Sequence, residues 1–123
     1  MGGLFALRKK DGVKIWETPP PKPACLGKPG CTPSQMAPAT MIPGVVFSGS
    51  MDGHLRAYDA STGKIVWDFD TLREFPTVNG VNAKGGSLNG TGPTLAGGML
   101  FVNSGYGALG GMPGNVLLAF ALE

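Results

Sequence analysis

The strongest constraint on the fold of this chain is an internal repeat. Residues 57–67 read AYDASTGKIVW, and part of this stretch recurs near the N-terminus at one constant spacing. Three unlike residues share an offset of 51 positions: Ala6 with Ala57, Gly12 with Gly63 and Trp16 with Trp67. Repeats of about 40 to 50 residues built from short strands are typical of propeller blades, whereas helical repeats need long segments of 3.6-residue period, which this sequence lacks.

A second element recurs at a different spacing. Residues 40–50 match residues 94–104 at an offset of 54, and a glycine-rich insert at 105–114 follows the second copy. The repeat then continues at an offset of 62: Leu117 with Leu55, Ala119 with Ala57 and Phe120 with Tyr58. The eight additional positions predict one elaborated connection inside an otherwise regular repeat.

Alternating side chains define the strands of the central repeat. Leu55 and Ala57 alternate with Arg56 and Tyr58, as expected for the two faces of a strand. A turn at 59–63 then leads into a stretch of β-branched and aromatic residues. We predict strands A (38–42), B (44–50), C (54–59) and D (64–69), followed by A (93–97), B (98–104) and C (115–121) of the next blade.

The predicted fold class is all-β, with propeller blades of four antiparallel strands. Residues 1–17 are expected to supply the end of one blade, with strands at 3–7 and 13–17. Residues 38–69 form a complete blade and residues 93–121 an incomplete last blade. This amounts to about two and a half blades, whereas closed propellers carry about 4 to 8. The chain is therefore either part of a longer protein or one of several copies that complete a ring together.

Composition and charge exclude several functions. No apolar stretch approaches the ~18 residues that a membrane span needs. The N-terminus lacks the charged region, apolar core and cleavage site of a signal peptide, so we expect no export signal in this chain. The formal net charge of +2 is too small to indicate nucleic-acid binding.

The two cysteines bracket a short proline-glycine loop. Cys25 and Cys31 lie close enough in sequence for a disulfide, which would imply an oxidising compartment. The alternative is a pair of free thiols in a reducing compartment. A metal site is not predicted, because the single histidine, His54, has no further ligands at a familiar spacing.

The order of the predicted strands divides the connections between two faces. The turns from A to B and from C to D are short and emerge on one face. The connections from D to A and from B to C emerge on the opposite face, which we call the loop face. They are long, at residues 18–37, 70–92 and 105–114. Because rigid scaffolds position such loops for binding, any functional site is predicted on the loop face.

One motif resembles that of a known family. The pattern A-x-D-x-x-T-G-x-x-x-W at residues 57–67 resembles the tryptophan-docking motif of the pyrroloquinoline quinone (PQQ) dehydrogenases. In the first copy Arg8 replaces the motif's Asp and Asp11 its Thr. The flanking sequence is similar to the C-terminal end of polyvinyl alcohol dehydrogenase-like quinoproteins, at residues 19–21, 25, 31, 45–59, 79–92 and 103–120.

This resemblance implies a parent protein with a specific activity. It would be a periplasmic, eight-bladed propeller that oxidises alcohols by hydride transfer to PQQ, with a calcium ion beside the quinone near the axis. A carboxylate would take the hydroxyl proton, and a c-type cytochrome would accept the electrons. In such proteins the cofactor supplies the redox chemistry, and the protein aligns the substrate and polarises the quinone.

Few residues of this chain can be assigned to that chemistry. No catalytic base is predicted, because no carboxylate stands out. Five loop-face residues are predicted to contact the quinone or substrate: Asn79, Lys84, Ser87, Asn103 and Tyr106. Lys84 would pair with a quinone carboxylate, while the amides and hydroxyls would form neutral hydrogen bonds. Trp16 and Trp67 are expected to be packing residues that dock one blade on the next.

Three functional hypotheses follow. The chain is the C-terminal part of an alcohol-oxidising quinoprotein and inactive alone, or a cofactor-free propeller that acts as a scaffold for protein partners. The third hypothesis is a fragment whose copies assemble through open strand edges without catalysis. Converging cations and amides on the axial surface would favour the first hypothesis over the second.

Overall fold

The described part of the chain consists of strands and loops. A computed structural model describes residues 3–107 and 110–122. Met1, Gly2, Ala108, Leu109 and Glu123 lie outside the described residues, and with them part of the predicted insert at 105–114 and the first two residues of the predicted first blade. Within residues 3–107 and 110–122, no helical segment has the length and apolar character that crossing a membrane requires.

Eleven strands in the described residues form four antiparallel sheets. The first sheet pairs β1 (Leu4–Leu7) with β2 (Lys14–Thr18). The second has the order β3 (Thr40–Ile42), β4 (Val45–Gly49), β5 (His54–Asp59) and β6 (Ile65–Asp70). A small hairpin joins β7 (Glu74–Phe75) to β8 (Ala83–Lys84). The last sheet contains β9 (Thr94–Ala96), β10 (Met99–Ser104) and β11 (Val116–Ala121).

The predicted strands are confirmed to within two residues at each end. The central repeat forms the expected four-stranded meander, and the following repeat forms its first three strands. The sequence analysis missed the β7–β8 hairpin, which lies inside the segment predicted as an irregular loop. The two strands of this hairpin have two residues each, too short to give a recognisable alternation. The assignment of the sheets to blades with the stated boundaries remains a prediction.

An apolar core lies between the four-stranded and three-stranded sheets. Leu55, Leu88, Leu100 and Val102 are buried together. Four half-buried side chains pack against them: Phe47, Leu95, Leu118 and Phe120. The alternation along β5 and β10 explains this packing, because every second residue faces the neighbouring sheet. Burial of this apolar surface is the main term that holds the two sheets together.

Aromatic rings continue this contact along β6. The Trp67 ring stacks on Phe69 with centroids 5.8 Å apart. Both rings meet Phe120 of β11 edge-on, at 5.4 Å from Trp67 and 4.9 Å from Phe69. Edge-to-face pairs at these separations are favourable beyond the area that they bury. Trp67 thus packs on the adjoining sheet, although 36% of it remains exposed.

Trp16 connects the first sheet to the second. Its indole N–H donates to the Ala60 carbonyl at 2.9 Å, and the Thr18 hydroxyl donates to the Gly63 carbonyl at 2.6 Å. The ring lies so close to Gly63 that a Cβ there would stand 2.5 Å from Trp16 Cε3. Gly63 also has a φ of +74°, in the left-handed region that L side chains rarely adopt. Two independent constraints therefore require glycine at this position.

The turn between β5 and β6 is held by one carboxylate. Asp59 Oδ1 accepts hydrogen bonds from the backbone N–H groups of Ser61 and Thr62, each at 2.9 Å, and from both hydroxyls. In the first repeat Arg8 stands in place of this aspartate, but its side chain instead donates to Asp11. The turn survives there because Gly12 N–H still bonds to the Arg8 carbonyl.

The first strands of the two larger sheets approach each other. The Thr40 hydroxyl donates to the Pro93 carbonyl, and a Cβ on Gly92 would lie 2.4 Å from the Pro38 carbonyl oxygen. The sheets therefore converge where β3 and β9 begin. Close approach of the first strands is expected of neighbouring propeller blades, whose first strands lie nearest the axis.

The contact between Trp16 and Gly63 predicts a specific stability difference. Gly63→Ala should destabilise the chain more than Gly12→Ala, because Gly12 has the same left-handed φ but no atom within 4 Å of its Cβ position. We expect about 1–2 kcal/mol for the strained backbone alone and about 1–3 kcal/mol more for the clash with the indole. Urea unfolding of both variants measures the difference, and equal losses would contradict the docking contact.

The turn also predicts a pH dependence. The Ser61 hydroxyl, together with the N–H groups of Ser61 and Thr62, lowers the pKa of Asp59 from 3.8 to about 2. Because the folded-state pKa is depressed, the stabilisation is fully present above about pH 4 and is lost as the pH falls through 2. Carboxyl carbon NMR should give an Asp59 midpoint near 2, and Ser61→Ala should raise it. A midpoint near 3.8 in the unsubstituted chain would contradict this role.

Candidate functional site

The long connections meet at one end of the sheets, as predicted for the loop face. Met51 N–H donates to the Ser34 carbonyl at 2.8 Å, which joins the connection after β2 to the end of β4. Thr71 N–H donates to the Gly53 carbonyl at 3.0 Å, and Gly105 N–H to the Ser87 carbonyl at 3.0 Å. These bonds combine the three irregular segments into one continuous surface.

Buried hydroxyl groups hold the centre of this surface. The hydroxyls of Thr71 and Ser104 lie 2.7 Å apart, and both residues are fully buried. Gly86 N–H donates to Ser104 Oγ at 2.8 Å, and the Thr71 hydroxyl donates to the Gly53 carbonyl at 2.6 Å. Buried polar groups need such partners, so this pair fixes the path of the chain between β8 and β9.

Ser87 performs a second bridging role. Its hydroxyl donates to the Met51 carbonyl at 2.7 Å and accepts from Met112 N–H at 2.8 Å. Its own N–H donates to the Met112 carbonyl at 2.9 Å. Ser87 was predicted as a ligand contact, but its side chain is buried and its hydroxyl is occupied by the backbone of two neighbouring segments.

A groove of about 590 Å³ opens beside these segments. Its lining combines apolar and polar side chains: Phe75, Pro76 and Pro113 with Glu74, Asn82, Lys84 and Asn115. Lys84 N–H donates to Asn115 Oδ1 and Asn115 N–H to the Lys84 carbonyl, both at 2.9 Å. The Lys84 ammonium is exposed and forms no ion pair within residues 3–107 and 110–122.

A charged cluster lies beneath the loop face. The Arg56 guanidinium donates to both carboxylate oxygens of Asp52, at 2.8 and 3.3 Å, and to Asp68 at 3.0 Å. Burial opposes the charge on Arg56, but the hydrogen bonds and charges of Asp52 and Asp68 raise its pKa above the ordinary value for arginine. His54 Nδ1 lies 2.6 Å from Asp68. Since each of these groups already has a protein partner, the cluster stabilises the sheet and offers no free base.

The predicted contact residues do not form a single cluster. Lys84 lines the groove, and Ser87 is buried behind it. Asn79 lies in an exposed turn, where its side chain accepts hydrogen bonds from the Thr77 hydroxyl and Val81 N–H. Asn103, on β10, and Tyr106, in the insert, are both exposed. Their roles as ligand contacts remain a prediction.

Sequence reasoning missed other residues of this surface. Asn82 and Asn115 face the groove beside Lys84, and Asn115 directly precedes β11. The Asn89 amide is buried against Gly107 and has no hydrogen-bond partner among residues 3–107 and 110–122. Asparagine is common in ordinary turns and loops, so only the folded arrangement distinguishes these three.

The predicted disulfide between Cys25 and Cys31 is confirmed. The two Cα atoms are 5.9 Å apart, within the usual range for a disulfide. Among residues 3–107 and 110–122, no group of three or more His, Cys, Asp or Glu side chains is placed to hold a metal ion.

Comparison with known proteins identifies the family. A family model, PQQ_2, described as outer membrane protein assembly factor BamB, matches residues 1–121. The chain belongs to this PQQ_2 family. Among solved structures, BamB from Moraxella catarrhalis superposes with a TM-score of 0.63 at 22% identity, covering 97% of this chain and 31% of that one. At this identity the likeness concerns the fold, and it confirms the predicted propeller architecture.

Several relatives in sequence are alcohol dehydrogenases. The chain is 45% identical over 131 residues to polyvinylalcohol dehydrogenase of a Pseudomonas species and 39% identical over 133 residues to that of Sphingopyxis sp. strain 113P3. Each match covers 98% of this chain. The dehydrogenase subunit of a quinone alcohol dehydrogenase from Gluconobacter oxydans is 33% identical, covering 82% of this chain and 15% of the relative. The predicted resemblance to quinoprotein alcohol dehydrogenases is confirmed.

The matches also show how much of each relative this chain covers. It spans 20% of the length of each of the two polyvinylalcohol dehydrogenases. About four-fifths of each of those proteins therefore lies outside the matched segment.

The hydroxyl pair predicts a second stability difference. Ser104→Ala should cost about 1–3 kcal/mol, because it leaves the Gly86 N–H buried without its acceptor. The neighbouring Asn103 is exposed, so Asn103→Ala should change stability by less than about 0.5 kcal/mol. Urea unfolding compares the two variants. A loss from Asn103→Ala as large as that from Ser104→Ala would contradict the buried role assigned to Ser104.

Proposed function

We propose that this chain forms about two and a half blades of an eight-bladed, PQQ-dependent alcohol dehydrogenase that acts on polyvinyl alcohol or a similar hydroxylated substrate. The observation that carries the proposal is the match of nearly the whole chain, at 45% and 39% identity, to two polyvinylalcohol dehydrogenases. The blades that complete the ring would come from the remainder of the parent protein. We expect the isolated chain to be inactive.

The donor groups on the loop face suit a flat, polyanionic quinone. Lys84 provides an exposed ammonium for a carboxylate, beside the apolar side chains of Phe75 and Pro113. Tyr106 and Asn103 offer a hydroxyl and an amide as neutral donors. When bound, PQQ would supply the two-electron acceptor for alcohol oxidation. The residues of this chain would bind and orient it and exclude water.

Lys84 and Tyr106 occupy different parts of the loop face. The Lys84 groove lies beside the start of β11, the third strand of its sheet. Tyr106 precedes Gly107, which packs on Asn89 in the segment that leads towards the converging first strands. Because the propeller axis lies on the side of the first strands, we propose Tyr106 as the more axial contact and Lys84 as the more peripheral one.

Calcium and the electron acceptor require other parts of the parent. Residues 3–107 and 110–122 contain no carboxylate cluster that could hold calcium. We therefore propose that its ligands, and the catalytic base, come from other blades. A c-type cytochrome is proposed as electron acceptor. One relative, from Thauera butanivorans, is described as 1-butanol dehydrogenase (cytochrome c). A periplasmic location agrees with the disulfide, which needs an oxidising compartment.

A second candidate function is a cofactor-free scaffold for other proteins. The matching family model is described as an outer membrane protein assembly factor, and the BamB fold covers 97% of this chain. Such a propeller would present the loop face to a protein partner instead of a quinone. An experiment that measures PQQ binding by the intact parent protein distinguishes the two functions, because a scaffold would not bind PQQ.

The proposal predicts PQQ binding by the intact parent protein. The intact protein should bind PQQ in the presence of calcium, while the 123-residue chain alone should not. Lys84→Ala should weaken binding about 10- to 100-fold, as expected for loss of one charge-assisted hydrogen bond. Tyr106→Phe should have a smaller effect. Absorbance titration with PQQ measures binding by the intact protein, by the isolated chain and by the two variants of the intact protein.

Lys64→Ala provides the matched control. Lys64 is also exposed, but it follows the turn on the face opposite the loops, so its removal should leave the affinity unchanged. Failure of the intact protein to bind PQQ would reject the dehydrogenase function. Unchanged binding by Lys84→Ala would reject only the role of Lys84.

A further inference from the structure

The disulfide closes a compact ring on the loop face. Within it, Lys28 N–H donates to the Cys25 carbonyl at 3.0 Å, and Cys31 N–H donates to the Lys28 carbonyl at 3.1 Å. Cys25 is buried, with its Sγ 3.6 Å from the Asp52 carbonyl oxygen at the end of the four-stranded sheet. The ring is therefore attached to the sheet on one side and internally bonded.

The other side of the ring abuts the insert between β10 and β11. A Cβ on Gly30 would lie 2.7 Å from the carbonyl carbon of Gly111 and 2.8 Å from Met112 N. The two backbones are thus in direct contact without intervening side chains. Gly30 has a φ of +80°, so the ring turns there towards the insert. Because the two backbones are close-packed here, a displacement of the ring at Gly30 would change its contact with Gly111 and Met112.

The contacted segment continues into the wall of the groove. Met112 exchanges two hydrogen bonds with Ser87, and Gly114 N–H donates to the Gly105 carbonyl at 3.1 Å. Pro113, Gly114 and Asn115 then line the groove beside Lys84. A short chain of contacts therefore leads from the disulfide to the groove.

We propose that the Cys25–Cys31 ring positions this wall and makes the groove sensitive to the redox state of the disulfide. Two electrons and two protons from a dithiol would convert the disulfide to two thiols, and the dithiol would itself become a disulfide. The loop of residues 25–31 would lose its covalent closure, and Gly30 would no longer be held in contact with Gly111. This proposal rests on the proposed function only because it treats the groove as part of the cofactor-binding site.

Amide hydrogen exchange tests the contact in the 123-residue chain. Reduction with a dithiol should speed exchange at Met112, Gly114 and Asn115 about tenfold or more, because their hydrogen bonds open locally. The amides of Asp59 and Gly63, in the turn on the opposite face, should exchange at unchanged rates. This contrast separates local release of the groove wall from general destabilisation.

Two glycine variants test the contact without breaking the disulfide. Gly30→Ala should speed exchange at the same three amides, since its Cβ would displace the insert. Gly27→Ala is the matched control: it lies in the same ring with a φ of +93°, but no atom stands within 4 Å of its Cβ position. It should leave exchange at Met112, Gly114 and Asn115 unchanged.

The outcomes separate this proposal from the dehydrogenase function. Unchanged exchange at the three amides, both after reduction and in Gly30→Ala, would overturn the positioning role. Equal effects of Gly27→Ala and Gly30→Ala would overturn it too, because strain within the ring would then replace the contact as the cause. Neither readout requires PQQ, so failure of the intact protein to bind the quinone would leave these outcomes as they stand.

Discussion

The contact between an indole and a glycine couples the first two sheets of this chain. Trp16 lies against the backbone of Gly63 and donates to the Ala60 carbonyl. A sheet of two strands such as β1–β2 cannot bury enough apolar surface to be stable alone, so it must dock on a neighbour. The absence of a Cβ at Gly63 allows the ring to reach the turn, and the Asp59 carboxylate gives that turn its shape.

A different set of interactions holds the loop face together. Backbone groups also lack partners where the strands of a sheet end, and the hydroxyls of Thr71, Ser87 and Ser104 satisfy several of them there. These bonds join segments that belong to different sheets. The groove beside Lys84 is therefore shaped by buried polar contacts, while the apolar core only sets the spacing of the sheets.

Different parts of the candidate site were predictable to different degrees. The loop face follows from the strand order, and Lys84 follows from the search for an exposed cation on that face. Ser87 shows the limit of this reasoning, since a serine in a loop looks the same in sequence whether it faces solvent or bridges Met51 and Met112. Asn82 and Asn115 were missed because they meet only when β8 pairs with the chain before β11.

The sequence by itself determined the repeat, the strands of the repeated units, the short turns and the closeness of Cys25 to Cys31 along the chain. These features depend on local alternation, on turn residues and on short separations along the chain. The tertiary structure alone decided that Gly30 touches Gly111, that Arg56 is neutralised by Asp52 and Asp68, and which polar residues face the groove. Those contacts join residues of different strands or loops, and their geometry is set by how the strands pair and the sheets pack.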